Sequence, residues 1–371
     1  MFPRKKDFFF TSNSSITFLD NANTTQKPKV VLDKMMDFYM YHYASAHRGN
    51  YPLSIRASDE MEAARLKVCR FIGASCSRQV IFTSGATHSL NLVARGLDHA
   101  FSKGDRILIS RWEHTSNVLP WIALARRLEL CIVYLDDWKD LYQFKGVKLV
   151  CCNFYSHVTG FRAPVEIISQ FAQDEGALFL LDATQAISHS ICDVSRLKCD
   201  FMVFSSHKMY GPNGVGVLYL KKLNLEPSDL GGGQVGDSME LTANYPDRME
   251  AGTHNLPAIV GLGAAVDYLE SLGMKEVSEY LEDLKAYAVR KLEGENLNLR
   301  YGEAPIISIK MPNCEDVAYL LGAKGICLRA GYLCSHLLKE GAMLRISLAV
   351  YNCRSDLDKL ALALNRIIKL I

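Results

Sequence analysis

Short apolar runs recur along the chain, and this feature constrains the fold more than any other. A strand with one face in water alternates between apolar and polar residues, whereas a strand covered on both faces is apolar throughout. Nearly all of the runs are of the second kind: QVIFTS (79–84), RILIS (106–110), LCIVYL (130–135), VKLVCC (147–152), LFLLDA (178–183), DFMVFS (200–205) and VGVLYL (215–220). They predict a seven-stranded sheet that is covered on both faces.

Segments with helical spacing separate these runs, among them ATHSLNLVARGLDHAF (86–101) and PVEIISQFAQDEG (164–176). Residues 29–43 and 54–72 also show helical spacing. Repeated strand–helix units form mainly parallel sheets with helices on both faces. We therefore predict an α/β fold whose ligand binds beyond the carboxyl ends of the strands, where such sheets bind their ligands.

The pattern changes after about residue 256. Two long helical segments are followed by short strand candidates, PIISIKM (305–311), ICLRA (326–330) and LRISLA (344–349), and by a final helical segment. This mixture predicts a smaller α+β domain. We predict that residues 29–255 form the large domain and that residues 1–28 and 256–371 form the small one.

Composition argues against several classes of protein. A net charge of +2 argues against a nucleic-acid partner, and no apolar run is long enough to span a membrane. Polar residues follow the phenylalanines near the N-terminus, so no signal-peptide core is formed. The eleven cysteines include no CxxC pair, which predicts reduced thiols in the cytoplasm and no metal site.

Four polar motifs stand at the ends of predicted strands: TSGATHS (83–89), EHTSNVLPW (113–121), LDATQA (181–186) and SSHK (205–208). Taken singly, Asp182 is an ordinary helix cap, and the first motif is a common turn. Taken together, they offer a helix N-terminus for a phosphate, a strand-end Asp182 and a strand-end Lys208. Pyridoxal phosphate needs these three, since a lysine binds its aldehyde and a carboxylate keeps its ring nitrogen protonated.

With these motifs the chain resembles class V aminotransferase-fold enzymes, pyridoxal-phosphate enzymes of fold type I, and within them SUF-type cysteine desulfurases and selenocysteine lyases. The resemblance runs nearly end to end. Besides the motifs above, it is carried by FLDNANTTQKP (18–28), HRGNYPLS (47–54), SSHKMYGPNGVG (205–216), GGG (231–233), MEAGTHN (249–255), RAGYLC (329–334) and LRISLAVYN (344–352).

The resemblance implies pyridoxal 5'-phosphate as the cofactor. Lys208 would carry it, Asp182 would pair with the ring nitrogen, and Gln185 would bind the ring hydroxyl. His114 would stack on the ring and move protons. The phosphate would be bound by Ala86, Thr87, Ser205 and His207. Thr253 would reach the phosphate of a neighbouring subunit, so the resemblance also implies a homodimer.

The resemblance further implies L-cysteine or a related amino acid as the substrate. Arg345 would hold its carboxylate through two parallel hydrogen bonds. Cys334 matches the nucleophile of the desulfurase pattern Arg-x-Gly-x-x-Cys. Its thiolate would take the sulfur as a persulfide, alanine would leave, and an acceptor protein would receive the sulfur. Ala22, His47 and Arg48 are expected near the substrate.

One departure from the family pattern concerns the reaction itself. His157, in FYSHVTG, stands where family members usually carry Asn, which contacts the ring hydroxyl or the substrate carboxylate. A histidine can also donate a hydrogen bond, but it is larger and titrates near neutral pH. We predict that His157 faces the cofactor and changes the preference for substrate or reaction.

Two alternatives stay open at this point. The chain could be another class V pyridoxal enzyme of a specialised biosynthetic pathway, such as a C–S or C–Se lyase, an epimerase or an aminotransferase, with Cys334 incidental. It could also be a homologue without activity that uses the fold as a scaffold. The presence of Lys208, Asp182 and the phosphate motif favours an enzyme.

Overall fold

The computed structural model describes residues 2–47, 49–235, 240–294, 297–338 and 340–369. Its strands are β1 (Thr17–Phe18), β2 (Val80–Thr83), β3 (Arg106–Ser110), β4 (Cys131–Leu135), β5 (Val147–Asn153), β6 (Leu178–Asp182), β7 (Phe201–Ser205), β8 (Gly216–Leu220), β9 (Asn298–Tyr301), β10 (Ile306–Lys310), β11 (Ile326–Cys327), β12 (Arg329–Gly331) and β13 (Met343–Ser347).

The α-helices are α1 (Phe9–Asn13), α2 (Lys29–Asp37), α3 (Pro52–Phe71), α4 (Ala86–Gly96), α5 (Leu119–Leu128), α6 (Val165–Glu175), α7 (Val194–Leu197), α8 (Leu256–Leu272), α9 (Met274–Glu293), α10 (Cys314–Ala323) and α11 (Arg354–Ile368). Short 3₁₀ helices include Thr115–Asn117 and Ser206–Lys208, which belong to the candidate site. The helical spacing of residues 29–43 corresponds to α2 and a following π-helical turn, Phe38–His42.

Strands β2 to β8 form one sheet in the order β2-β8-β7-β6-β5-β3-β4. Strand β8 runs antiparallel to both of its neighbours, and the other neighbouring pairs are parallel. The prediction of a mainly parallel, seven-stranded sheet is therefore confirmed. Because β5, β6 and β7 are parallel neighbours, their carboxyl ends meet at one edge of the sheet.

Two apolar clusters cover the two faces of this sheet and explain why its strands do not alternate. Cys152 and Leu181 belong to one cluster, while the preceding residues, Cys151 and Leu180, belong to the other. Since both faces exclude water, both sets of side chains on each strand are apolar. The edge strand β4 differs, because most of its residues are partly or fully exposed. The apolar sequence of β4 therefore predicts more burial than the structure shows.

The C-terminal strands form separate, smaller sheets. Strands β12, β13, β10 and β9 form an antiparallel sheet in that order, and β1 pairs in parallel with β11. The predicted strand 326–330 is therefore two strands in two sheets, separated at Leu328. The sequence-based prediction lacks β1 and β9, because both are short and mix polar with apolar residues. The prediction of a small α+β unit is confirmed, although its individual strands differ from those predicted.

Helix α8 packs against α2 and α3. A Cβ atom at Gly261 would lie 2.8 Å from Cγ of Met35, and one at Gly263 would lie 3.0 Å from Cβ of Ala64, so the two glycines allow the helices to pack closely.

The domain boundary at residue 255 stays a prediction. No single helix of the described chain is long and apolar enough to cross a bilayer, and α8 and α9, which meet that criterion only as a pair, are bent by 76°.

Candidate active site

Three polar residues stand side by side at the carboxyl edge of the large sheet. Asn153 ends β5, Asp182 ends β6 and Ser205 ends β7, and Asn153 lies opposite Asp182 in the strand register. The chain then enters the 3₁₀ helix that ends at Lys208. A cavity at this edge is lined by Asn23, Ala86, Thr87, His114, Ser116, Asn153, Tyr155, His157, Asp182, Thr184, Gln185, Ser205, His207 and Lys208.

The side chain of Lys208 lines this cavity. Burial lowers its pKa to about 8, although the nearby Asp182 carboxylate acts in the opposite direction. A lysine with this pKa has an appreciable neutral fraction near neutral pH, whereas an ordinary lysine has almost none. Only the neutral amine can attack a carbonyl or accept a proton. Lys208 is therefore prepared for covalent and acid–base chemistry.

Asp182 and Thr184 form the floor of the cavity. The main-chain N–H of Thr184 donates to Oδ1 of Asp182 at 2.9 Å, and burial raises the pKa of this carboxyl group. A cation beside Asp182 would stabilise its charged form. The buried Oγ1 of Thr184 has no hydrogen-bond partner in the described structure. An unpartnered hydroxyl in a cavity wall is typical of a site that a polar ligand completes.

Helix α4 begins in the wall of the same cavity. Its first N–H group, that of Ala86, donates to Oγ of Ser205 at 2.8 Å. The hydroxyl of Thr87 lies 2.8 Å from that of Ser116. A helix N-terminus with such hydroxyls attracts an anion, since its N–H groups and its dipole both favour negative charge. This corner can hold a phosphate.

Two histidines of the lining are neutral near pH 7. Burial and the charge of Lys208 lower the pKa of both His114 and His207 to about 4. Nδ1 of His114 accepts a hydrogen bond from the N–H of Ser116 at 3.1 Å, so Nε2 carries its proton. A neutral imidazole can stack on an aromatic ring and exchange a proton.

Arg345, on β13, is almost completely buried. Its Nη1 donates to the main-chain oxygen of His157 at 2.8 Å, and its Nη2 lies 3.3 Å from Oδ1 of Asp20. Its buried Nε has no partner among the described residues. Its charge lowers the pKa of Lys208, so the two groups are near each other. The guanidinium therefore keeps one unused donor, although Arg345 is not among the residues that line the cavity.

Cys334 follows β12 in a turn with a left-handed backbone. The φ angle is 54° at Leu333 and 57° at Cys334, a region that residues other than glycine rarely adopt. The N–H and the hydroxyl of Thr115 both donate to the carbonyl oxygen of Cys334, at 3.0 and 2.7 Å. Thr115 stands between His114 and Ser116, which both line the cavity. The predicted nucleophile is thus fixed beside the cavity.

The structure places His157 in the wall of the cavity, where it is 4% exposed. Its ring is edge-on to that of His114, with 4.9 Å between the centroids, and its Nε2 lies 2.8 Å from the oxygen of Leu333. Burial lowers its pKa well below the usual value, and the charge of Arg345 contributes. A neutral imidazole therefore contacts both the ring expected to stack on the cofactor and the turn of the nucleophile.

Other predicted residues lie outside this cavity. Thr253 and His47 line a second cavity. A Thr253 that serves a neighbouring subunit, as the resemblance implies, is expected to lie away from the cavity of its own chain. Ala22 does not line the first cavity, but its main-chain oxygen accepts a hydrogen bond at 2.8 Å from Nε2 of Gln185, which does. Arg48 lies outside the described residues.

Sequence reasoning missed several lining residues: Asn23, Ser116, Asn153, Tyr155 and Thr184. Asn153 ends β5 as Asp182 ends β6, so the rule that polar strand ends share an edge could have found it. It also missed the buried Glu113, which accepts hydrogen bonds at 2.7 Å from the N–H of Asn153 and the amide of Asn117. Burial raises the pKa of Glu113 well above its usual value.

The residues present fit pyridoxal phosphate. A buried amine, a buried carboxyl group, an unpartnered hydroxyl and a helix N-terminus face one cavity, and each matches a different part of that cofactor. In the described part of the chain, no group of three or more His, Cys, Asp or Glu side chains is arranged to hold a metal ion.

Comparisons with known proteins agree with this geometry. The family model "Aminotransferase class-V" matches residues 17–360. A cysteine desulfurase of Serratia proteamaculans is 38% identical over 96% of this chain and 94% of its own, and one of Pectobacterium carotovorum is 37% identical over the same shares. The apo structure of the cysteine desulfurase from Thermococcus onnurineus NA1 is similar with a TM-score of 0.95 and 32% identity, covering 100% of this chain and 99% of that one. The cysteine desulfurase CsdA of Escherichia coli is similar with a TM-score of 0.92 and 29% identity, covering 99% and 98%.

Proposed function

The chain belongs to the aminotransferase class-V family, and we propose that it is a pyridoxal-phosphate-dependent cysteine desulfurase that takes sulfur from L-cysteine and releases L-alanine. The observation that carries this proposal is the hydrogen bond from Thr115 to Cys334, next to the cavity-lining His114, because a cysteine nucleophile at the cofactor distinguishes desulfuration from other reactions of the family.

Pyridoxal phosphate supplies an electron-accepting ring that stabilises negative charge on the substrate carbon. Five groups of the chain would hold it. Asp182 would face the ring nitrogen and Lys208 the aldehyde, while Ala86, Thr87 and Ser205 would face the phosphate. A protonated ring nitrogen would stabilise the charged form of the buried Asp182 carboxylate, because the two charges are opposite.

Lys208 and His114 are the groups that would move protons. With a pKa of about 8, the Nζ atom of Lys208 can take a proton from the substrate carbon and return one later. His114 holds its proton on Nε2, so it can donate a hydrogen bond while it packs against the ring. Arg345 would bind the substrate carboxylate, and its Nε has an unused donor in the described structure.

Cys334 would accept the sulfur. Its Sγ thiolate attacks the substrate sulfur, an S–S bond forms, and the carbon–sulfur bond breaks with its electron pair going to carbon. That carbon gains a proton and becomes the methyl group of alanine. The sulfur is oxidised to a persulfide as the carbon is reduced, so the step needs no outside oxidant or reductant. A thiol of an acceptor protein would then remove the sulfur.

The proposal includes a homodimer. Side chains on α2, the following π-helical turn and α3 leave apolar surface in water, including Met36 (54% exposed), Tyr41 (66%) and Ile55 (52%). Exposed apolar surface of this kind is typical of an interface. The second cavity, with Thr253 in its wall, would then meet the phosphate of the other subunit. Since all eleven cysteines are free, we assign the protein to the reducing cytoplasm.

Product analysis with L-cysteine tests the proposal. The wild-type protein loaded with cofactor should form alanine and a persulfide on Cys334 in equal amounts during a single turnover. Cys334→Ala should keep the absorbance of the bound cofactor and lose persulfide formation. Cys131→Ala, which removes an exposed thiol, is the matched control and should behave as wild type. Absence of alanine with the wild type, or wild-type rates with Cys334→Ala, would contradict desulfuration.

A further inference from the structure

The carbonyl oxygen of Leu333 has a single donor in the described structure, Nε2 of His157, at 2.8 Å. Leu333 is the first of the two left-handed residues, and Cys334 is the second. A left-handed backbone at a leucine is unfavourable and persists only where surrounding contacts impose it. The hydrogen bond from His157 therefore acts at the start of the turn, next to the nucleophile.

The main chain around His157 is itself firmly held. Nη1 of Arg345 donates to its carbonyl oxygen at 2.8 Å, and the hydroxyl of Ser308 donates to the carbonyl oxygen of Val158 at 2.5 Å. Val158 also packs with Leu333 in a small buried apolar cluster. A donor on such a fixed backbone can impose a geometry on the turn, whereas a donor on a mobile loop would follow it.

The partner atom fixes the tautomer of His157. A carbonyl oxygen can only accept, so Nε2 carries the proton and Nδ1 has a free lone pair. The single N–H group of the neutral ring is thus used on the turn and is not available to the cavity. An asparagine at this position would have a shorter side chain, whose amide nitrogen lies as many bonds from Cβ as Nδ1 does and cannot replace Nε2.

We propose that His157 is a positioning residue for Cys334, which holds the nucleophile turn (residues 332–335) beside the cofactor cavity through the carbonyl of Leu333. Thr115 anchors the other side of the turn at the carbonyl of Cys334. With both anchors in place, the main chain that carries Sγ of Cys334 has a fixed position next to the cavity. The proposal rests on the proposed function only in treating Cys334 as the nucleophile. The contacts that hold the turn do not depend on the substrate.

Three replacements of His157 separate this role from a role toward the cofactor ring. Nε2 of glutamine lies as many bonds from Cβ as Nε2 of histidine, so His157→Gln keeps a donor for Leu333. Nδ2 of asparagine corresponds instead to Nδ1 of histidine, so His157→Asn keeps a polar group in the side chain and loses the donor to Leu333. His157→Phe keeps a ring and loses both. His189→Phe, at a second buried neutral histidine outside the cavity lining, is the matched control.

The test measures the rate at which iodoacetamide alkylates Cys334 in the cofactor-loaded protein, by peptide mass spectrometry, with exposed Cys131 as the internal reference. A released turn exposes its thiol more often, so His157→Phe and His157→Asn should alkylate about 3- to 10-fold faster, in line with the loss of one hydrogen bond. In His157→Gln and His189→Phe the rate should stay within about twofold of wild type. In a single turnover with L-cysteine, the Phe and Asn variants should form persulfide about 10- to 100-fold more slowly at unchanged cofactor absorbance.

Three outcomes would overturn the proposal. Normal alkylation in the Asn variant with fast alkylation in the Gln variant would assign His157 to the cofactor ring. Equal acceleration in all three variants would mean that only packing of the imidazole matters, and unchanged rates in all three would mean that the hydrogen bond does not hold the turn. If the wild type forms no alanine, the proposed function fails, while the alkylation rates still decide the role of His157.

Discussion

The hydroxyl of Thr115 and the carbonyl oxygen of Cys334, 219 positions apart in the chain, are joined by a hydrogen bond of 2.7 Å. Thr115 follows His114 at the edge of the large sheet, whereas Cys334 follows β12 of the C-terminal sheet. The imidazole that would move protons and the thiol that would take sulfur are therefore positioned by one segment. Loss of this contact should change where Sγ lies without changing the chemistry of either group.

Thr115→Val tests this contact, because valine keeps the shape and the main-chain N–H but lacks the hydroxyl. We expect kcat for alanine formation to fall about 3- to 10-fold, with KM for L-cysteine within about twofold of wild type. Thr115→Ser retains the hydroxyl and should stay near wild type. A raised KM with unchanged kcat would show that Thr115 acts on substrate binding instead.

The positions of Asp182 and Lys208 could be predicted from the sequence, because apolar runs mark strands and the ends of parallel strands share an edge. The contact between His157 and Leu333 could not, since 176 positions separate the two residues and the turn has a backbone that a leucine rarely adopts. Thr253 needs a second chain for its expected role, so no pattern within one chain can test it. Tertiary contacts decide the geometry that local patterns leave open.

Covalent capture of the cofactor should depend on the pKa of Lys208. Burial lowers this pKa to about 8, so the neutral amine accumulates as the pH rises through about 8. Cofactor-free protein mixed with pyridoxal phosphate should therefore attach it faster as the pH rises from about 6.5, and the rate should level off above about 9. Borohydride trapping followed by mass spectrometry measures attachment, with Lys208→Ala as the blank. A midpoint near 10.4, the ordinary value for lysine, would contradict the shift.

Gly216 should be essential for the phosphate corner. A Cβ atom there would lie 2.5 Å from Cα of Gly85, which immediately precedes α4, so Gly216→Ala must push α4 away from Ser205. We expect the Kd for pyridoxal phosphate, measured by absorbance titration, to rise about 10-fold or more through loss of anion contacts. Gly322→Ala, near the C-terminal end of α10 where an added Cβ meets nothing within 4 Å, is the control and should leave the Kd unchanged. An equal Kd in both variants would place the phosphate elsewhere.

Arg65 and Glu250 form an ion pair with neither side chain exposed, Nη1 to Oε1 at 2.6 Å. In the structure the N–H of Phe82 donates to Oε1 of Glu250 at 2.6 Å, and Glu250→Gln keeps an oxygen that can accept this hydrogen bond. The variant leaves the guanidinium of Arg65 without its buried counter-charge. Breaking such a pair from one side costs about 3–5 kcal/mol of folding stability. Glu62 contacts the same arginine from a carboxylate that is 43% exposed, so Glu62→Gln should cost less than about 1 kcal/mol. Urea denaturation of both variants at one protein concentration measures the difference, and equal losses would show that burial does not govern this pair.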